Sequence, residues 1–418
     1  MGAGEGCDLF YLFVKRYDFL KGSVDQMPKV GIREFAALGR VLANGQLQRY
    51  ARGDKGYTAR FEAELAQKMD VRHALTVNSG TNALVAALAA AGVGPGDEVL
   101  VPAYTWVSTA IAPLAVGAVP ILVNINESLT MDLADIERKI TPYTKAIMPV
   151  HMLNLVSDMD QIMDIARRHD LLVVEDACQA VGVSYKGRRV GTIGDIGAFS
   201  FNHFKNMTSG EGGAVLTNND RLHTRARMYH DPGNFIRSHG QIDEPPFSCM
   251  NFRVSELTGA VLHCQLKRLD PLLARLRSRC KLMSRTFDDA AGCRISPHND
   301  PANAMGLTVL FDDPEEAKSF AEMRGVERLL DTDRHVFTNW DAILSKRSFH
   351  PRMNPYQWAN REIDHRIEDY AQTLDILART CRVFLGQQYP LPVLKMRQSV
   401  LRRTVAKPRS LASALPAE

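Results

Sequence analysis

Four short stretches of this chain carry side chains able to do chemistry, each beside an apolar run. The least ordinary is Phe199-Ser200-Phe201-Asn202-His203-Phe204-Lys205-Asn206, followed by Gly210-Glu211-Gly212-Gly213. A lysine between two strand-like runs, flanked by Phe201 and Phe204, is expected to lose hydration. Desolvation disfavours an ammonium, and the neutral amine that remains can form a Schiff base with a carbonyl. The ordinary alternative is a surface lysine. The glycines let the backbone fold tightly here. They do not make a dinucleotide fingerprint, because Gly212-Gly213 opens a strand and not a helix.

The other three stretches follow strands. Glu175-Asp176-Ala177-Cys178-Gln179 comes directly after Leu-Leu-Val-Val. Its acid either caps the next helix or pairs with a pyridinium nitrogen, whose protonated ring is an electron sink. Gln179 is placed to reach a ring oxygen. Asn78-Ser79-Gly80-Thr81 leads into an alanine-rich helix. Ser79 is a plain N-cap, or the free N–H groups behind Gly80 hold a phosphate. Trp106 follows the run ending at Val101-Pro102. It either packs on the sheet or stacks on a planar ring.

These groups need a scaffold that brings strand ends together. Apolar runs at 74–77, 98–101, 119–123, 146–150, 171–174, 197–201 and 213–217 read as strands. Helical patterns at 57–69, 81–91, 106–116, 133–140 and 159–169 alternate with them. The pattern predicts an α/β fold with a mostly parallel sheet covered on both faces, which gathers ligands at the carboxyl ends of its strands. Beyond Leu222 helices dominate, at 254–266 and 272–287, with a strand at 306–311 and a helix at 314–323. The expected parts are an extension over 1–30, a large domain over 31–270, a smaller α+β domain over 271–394, and a basic, solvated tail over 395–418.

The 418 residues are 45% hydrophobic and 23% charged, with a net charge of +4, which makes no case for nucleic acid as the main partner. Seven cysteines without CxxC spacing argue for reduced thiols in the cytoplasm. Twelve histidines form no HExxH-like pair, so no metal is expected. No secretory signal or membrane-spanning run is evident, and Gly6 spoils the myristoylation pattern at Met1-Gly2.

Taken together, SGTNAL (79–84), PAYTWVSTA (102–110), EDACQA (175–180), FSFNHFKN (199–206) with GEGG (210–213), and NFRVSE with QLKRLD (251–270) resemble the DegT/DnrJ/EryC1/StrS aminotransferases. These are pyridoxal-phosphate enzymes of fold-type I that make amino sugars and amino cyclitols. The resemblance runs from about Ile32 to Asp270 and more loosely to about Arg379. It implies pyridoxal 5′-phosphate as cofactor, with Lys205 as Schiff-base lysine and Asp176 as partner of the pyridine nitrogen. Gln179 would lie near the ring hydroxyl and Trp106 on the ring face. Gly80, Thr81 and Ser200 would contact the phosphate. Asn251 would reach the phosphate of a neighbouring subunit, implying a homodimer with shared sites. The implied reaction moves an amino group from glutamate or glutamine to a keto sugar, keto cyclitol or similar ketone. A related sugar dehydratase would carry His in place of Lys205, and a non-catalytic, cofactor-binding regulator could lose the lysine. Three features depart from the pattern: Asn202 where His is frequent, Cys249 where Gly is frequent, and Tyr389-Pro390-Leu391-Pro392 in place of a smooth closing helix. His151, Asn154, His203, Arg253 and His335 are further candidates for the pocket wall.

Overall fold

The structure is a computed structural model describing residues 30–50, 52–233, 244–386 and 389–405. The expected extension lies outside these residues apart from Val30. Helices α1 (Ile32–Asn44) and α2 (Tyr57–Met69) come first. In α2 the four-residue spacing of Phe61, Leu65 and Met69 makes one buried stripe.

Seven strands then form one sheet: β1 (His73–Val77), β2 (Glu98–Pro102), β3 (Val119–Val123), β4 (Thr144–Ile147), β5 (Leu172–Asp176), β8 (Ile196–Ser200) and β9 (Gly213–Thr217). A two-stranded hairpin, β6 (Ser184–Tyr185) and β7 (Arg188–Arg189), lies outside it. Between the strands run α3 (Gly80–Ala90), α4 (Ser108–Ala115), α5 (Leu133–Lys139) and α6 (Met159–Arg168). The sheet order is β1-β9-β8-β5-β4-β2-β3. Only β9 is reversed, pairing antiparallel with β1 and β8; the remaining pairs are parallel. Leu100 and Val173 face one core layer, and Val99, Val101 and Val174 the other. That double burial is why these strands read as continuous apolar runs. Helix α3 is buried nearly all round, and its alanines permit close packing on the sheet.

After α7 (Asp220–His230), α8 (Glu256–Leu266) and α9 (Leu269–Ser284) comes a second, antiparallel sheet. Its strands are β10 (Cys293–Ile295), β11 (Thr308–Phe311), β12 (Val326–Arg328) and β13 (Thr380–Val383), in the order β10-β11-β13-β12. Helices α10 (Pro314–Ala321), α11 (Asp341–Leu344), α12 (Ala371–Arg379) and α13 (Leu391–Val405) accompany it.

Helix α13 corrects the sequence expectation. Residues 395–405 are not a solvated tail: they continue a helix whose Leu394, Leu401 and Val405 share one buried face. Pro390 and Pro392 sit at its start, where a missing N–H breaks no helical bond. Its Arg397 donates to the carbonyls of Phe384 and Gly325. The closing helix is therefore present, and residues 406–418 lie outside the described part. Among the described residues no helix is long and apolar enough to cross a membrane. No group of three or more potential metal ligands is found among them either.

Candidate active site

The carboxyl ends of β1, β5 and β8 lie along one edge of the sheet. Register places Val77 beside Gly213 and Gly213 beside Ser200, so the β1–α3 turn sits against the end of β8. Ser79 does cap α3, its hydroxyl accepting the Asn82 N–H at 3.0 Å. The Gly80 and Thr81 N–H groups, one step nearer the helix end, find no partner among the described residues. A Cβ on Gly80 would stand 2.6 Å from the Ser200 Cβ and 3.1 Å from the Cys178 sulfur. Only glycine lets these amides come so close to Ser200. Two free amides, a helix dipole and the Ser200 hydroxyl form a cradle that an anion such as phosphate would fit. Thr81 is held in place through its hydroxyl, which donates to Ser108 Oγ at 2.8 Å.

Asp176 ends β5 and is buried. Its Oδ2 accepts from the Thr109 hydroxyl at 2.8 Å, and its Oδ1 from the Cys178 N–H at 3.1 Å. Thr105 Oγ1 stands 2.8 Å behind Thr109 Oγ1. The preceding residue does something else, because strand neighbours point to opposite faces. Glu175 is fully buried and accepts N–H groups from Gly191, Ile193 and Gly194 at 2.7, 2.5 and 2.6 Å. Its fourth partner is His151 Nε2 at 3.0 Å. Because His151 Nδ1 accepts the Ser157 N–H at 3.1 Å, the ring proton sits on Nε2. Glu175 is thus a clamp on the 191–194 turn, and Asp176 is the acid that belongs to the site.

Lys205 stands half-buried on a turn where its N–H donates to the Asn202 carbonyl at 3.0 Å. Burial lowers its amine below the ordinary lysine range, the Arg382 cation lowers it further, and Asp176 opposes them. Burial also raises the Cys178 thiol well above its usual range, so it stays neutral. The desolvation expected from two phenylalanines is corrected in part. Phe201 is buried against Phe61 and Phe199, whereas Phe204 is 73% exposed. Phe201 continues the inward alternation of β8, and the chain has already turned outward at Phe204. Asn206 holds the turn from the other side, donating to Asn154 Oδ1 at 2.9 Å and the Val181 carbonyl at 3.1 Å. Asn202 binds Glu211 Oε1 at 2.9 Å, so this departure from the family pattern serves the Gly210–Gly213 turn.

Gln179 is fixed by an unusual backbone. Leu153 and Asn154 both take positive φ, 55° and 64°. In this strained form their N–H groups reach the Gln179 side-chain oxygen at 3.3 Å and its carbonyl at 3.2 Å. The Gln179 NH2 keeps no partner among the described residues and is available to a ring oxygen. Trp106 precedes α4 instead of opening it and is 39% exposed. Its ring lies 5.4 Å from that of His335, with the Arg334 guanidinium 5.9 Å from the Trp106 centroid. His335 arrives from far along the chain because the 332–340 segment docks on the loop after β2. Thr105 N–H donates to the His335 carbonyl, and Phe337 N–H to that of Ala103. Burial, with Lys205 and Arg382 nearby, keeps the His335 imidazole below its usual range.

Asn251 is exposed, and its Oδ1 accepts the Arg253 N–H at 3.2 Å. The adjacent Phe252 carbonyl accepts the Asn78 N–H at 2.9 Å, so the loop borders the cradle. Of the open candidates, Asn154 and His335 stand at the site. His151 is held by Glu175, Arg253 pairs with Asp231, and His203 is exposed. Thr109, Asn206 and Arg382 were not singled out from sequence. Thr109 lies three residues after Trp106, the offset of a neighbour on one helical face, and Asn206 adjoins Lys205; nothing local marks Arg382.

Comparison with known proteins identifies the family and the fold. The model of the DegT/DnrJ/EryC1/StrS aminotransferase family matches residues 29–333. The chain is 42% identical over 219 residues to GDP-perosamine synthase of Caulobacter vibrioides, covering 52% of this chain and 58% of that one. It thus spans less than two thirds of that relative. It is 34% identical over 307 residues to a putative L-glutamine:3-amino-2,3-dideoxy-scyllo-inosose aminotransferase of Streptoalloteichus tenebrarius, covering 72% and 73% of the two chains. Among solved structures, 3-amino-5-hydroxybenzoic acid synthase superposes with a TM-score of 0.74 at 27% identity, covering 91% and 98%. The expected α/β, fold-type I architecture is the one found. The chain belongs to the DegT/DnrJ/EryC1/StrS aminotransferase family.

Proposed function

We propose that this protein is a pyridoxal-phosphate-dependent aminotransferase that moves an amino group from glutamine or glutamate to a keto sugar, keto cyclitol or similar ketone. The observation that carries the reading is one sheet edge holding three things together: the glycine-dependent cradle at Gly80, Thr81 and Ser200, the buried Asp176, and the lowered amine of Lys205. The donor set fits the cofactor. The cradle suits its phosphate, Asp176 its ring nitrogen, Gln179 its ring hydroxyl and Trp106 its ring face. When bound, pyridoxal phosphate supplies an electron sink for the carbon that gives up its proton. Lys205 anchors the cofactor and, once displaced by the donor, takes the α-proton on Nζ. Asp176 keeps the ring nitrogen protonated, and Thr109 and the Cys178 N–H keep Asp176 in place. Relatives act on nucleotide sugars and cyclitols by name, and a structural neighbour makes an aromatic amine, so the acceptor class is set by experiment.

The functional unit in this reading is a homodimer in the cytoplasm. Asn251 is exposed on its own protomer, and α1 turns Ile32, Phe35 and Leu42 outward, a face suited to a second copy that would receive Asn251 at its phosphate. The residues over 31–270 hold the cofactor, and those over 271–394 close the substrate side.

The reaction class is tested by incubating cofactor-loaded protein with amine-15N-labelled L-glutamine and a panel of keto sugars and keto cyclitols. Mass spectrometry is expected to find an acceptor carrying the label. Products that lose water without gaining nitrogen would instead assign dehydration.

A further inference from the structure

A side-chain amide joins the Lys205 turn to the segment that carries Gln179. Asn206, the residue after Lys205, donates from Nδ2 to Asn154 Oδ1 at 2.9 Å and to the Val181 carbonyl at 3.1 Å. A carbonyl only accepts, so the NH2 and not the oxygen must face Val181, and both of its hydrogens are used. Asn154 in turn donates its backbone N–H to the Gln179 carbonyl at 3.2 Å. Its neighbour Leu153 donates to the Gln179 side-chain oxygen at 3.3 Å. The bonds close a ring: Asn206 to Asn154, to Gln179, along the chain to Val181 and back to Asn206. Leu153 and Asn154 hold φ at 55° and 64°, a form that leucine rarely adopts, so bonds from outside the loop must secure it. Val181 and Met207 beside the amide are buried, which limits competition from water.

We infer that Asn206 and Asn154 are positioning residues that fix Gln179 relative to Lys205. The inference rests on the cofactor reading given above. In pyridoxal phosphate the aldehyde carbon and the ring hydroxyl sit on neighbouring ring atoms. Lys205 bonds to the first and Gln179 is available to the second, so the two side chains must be held at one spacing. Lys205 follows β8 and Gln179 follows β5, and the ring of hydrogen bonds supplies that spacing. The consequence is electrostatic. An NH2 on the ring oxygen stabilises its negative charge most when the neighbouring lysine nitrogen has given up its proton. Gln179 in place lowers the pH at which the lysine-bound cofactor loses that proton, and a slack Gln179 raises it.

The test is a pH titration of the absorbance of cofactor-loaded protein, without donor or acceptor. It compares wild type, Asn206→Ala, Asn154→Gly, Gln179→Ala, and Asn206→Ala combined with Gln179→Ala. Glycine keeps the positive φ at position 154 and removes only the side chain. Neither asparagine substitution alters the charged and titrating groups around Lys205, which are Asp176, Cys178, His335 and Arg382. In Asn206→Ala and Asn154→Gly the midpoint is expected to rise by roughly half a pH unit to one unit, as a hydrogen bond is partly lost. Gln179→Ala raises it at least as far. Adding Asn206→Ala to Gln179→Ala raises it no further, because the effect passes through Gln179. Midpoints unchanged in both single asparagine variants overturn the inference, and a fall in urea stability alongside would leave the ring of bonds a purely structural brace. A further rise in the double variant also overturns it, while leaving the cofactor reading standing. A wild type that shows no band of lysine-bound cofactor overturns the cofactor reading and this inference with it.

Discussion

Thr109 Oγ1 stands 2.8 Å from Asp176 Oδ2, while the Cys178 N–H stands 3.1 Å from Oδ1, so each carboxylate oxygen has one fixed donor. Thr109→Val keeps the shape and removes one donor. It is expected to lower kcat by roughly 10-fold, with normal folding and cofactor binding. Asp176→Asn removes the charge itself and costs about 10²- to 10³-fold. Steady-state rates at saturating pyridoxal phosphate decide between these. A Thr109→Val enzyme with wild-type kcat would show that the hydroxyl does not position Asp176.

Glu175 and Asp176 are neighbours with separate roles, and substitution separates them. Glu175→Gln turns one acceptor oxygen into an NH2, which faces either the Ile193 and Gly194 N–H groups or the Gly191 N–H and the His151 ring in a buried site. A stability loss of about 3 kcal/mol is expected in urea unfolding. Asp176→Asn leaves stability nearly unchanged while cutting turnover about 10²- to 10³-fold. Equal stability losses in the two variants would contradict the division.

Gly80→Ala puts a methyl 2.6 Å from the Ser200 Cβ. The turn must shift to admit it, at about 1–3 kcal/mol, and the amides move away from Ser200. Titration with pyridoxal phosphate is expected to show weaker binding in this variant. Affinity equal to wild type would remove the turn from the phosphate site.

The seven strands of the main sheet were legible within a few residues, because burial on both faces writes each as an apolar run. Lys205, Asp176, Gly80 and Gln179 were legible because each follows such a run or lies between two. The second sheet was mostly hidden. Cys293–Ile295 and Val326–Arg328 have three residues each, too few for a period to show, and Arg382 interrupts the alternation of β13. Helix α13 was hidden by its basic face, which outweighed the sparse stripe of Leu394, Leu401 and Val405. His335 reaches Trp106 through long-range backbone bonds that no local pattern encodes. Outside the described residues lies Cys7, while Cys280, Cys293 and Cys381 are buried and Cys178, Cys249 and Cys264 are half-buried.

Burial lowers the Lys205 amine, so the cofactor-free folded protein gives up a proton that the unfolded chain keeps up to about pH 10.5. The unfolded state binds more protons across that window, and stability rises with pH there. The cost of burying the ammonium is full below the lowered value and gone above the ordinary one. Raising the pH from about 8 to about 10 is therefore expected to narrow the Tm gap between cofactor-free wild type and a more stable Lys205→Met. A gap independent of pH would contradict a lowered amine.

Shared sites predict complementation. Lys205→Ala and Asn251→Ala each inactivate or weaken a homodimer. Mixing them by unfolding and refolding is expected to recover roughly a quarter of wild-type activity, since half the dimers are hybrids with one intact site. Hybrids no more active than the parents would place Asn251 outside the partner's site.

The most direct measurement is the absorbance spectrum of the purified protein after adding pyridoxal phosphate, taken before and after L-glutamine or L-glutamate. The expected result is a band of lysine-bound cofactor that gives way to the pyridoxamine form on adding donor, with neither change in Lys205→Ala. Failure of wild type to take up the cofactor, or an identical band and donor response in Lys205→Ala, would contradict the role assigned to Lys205.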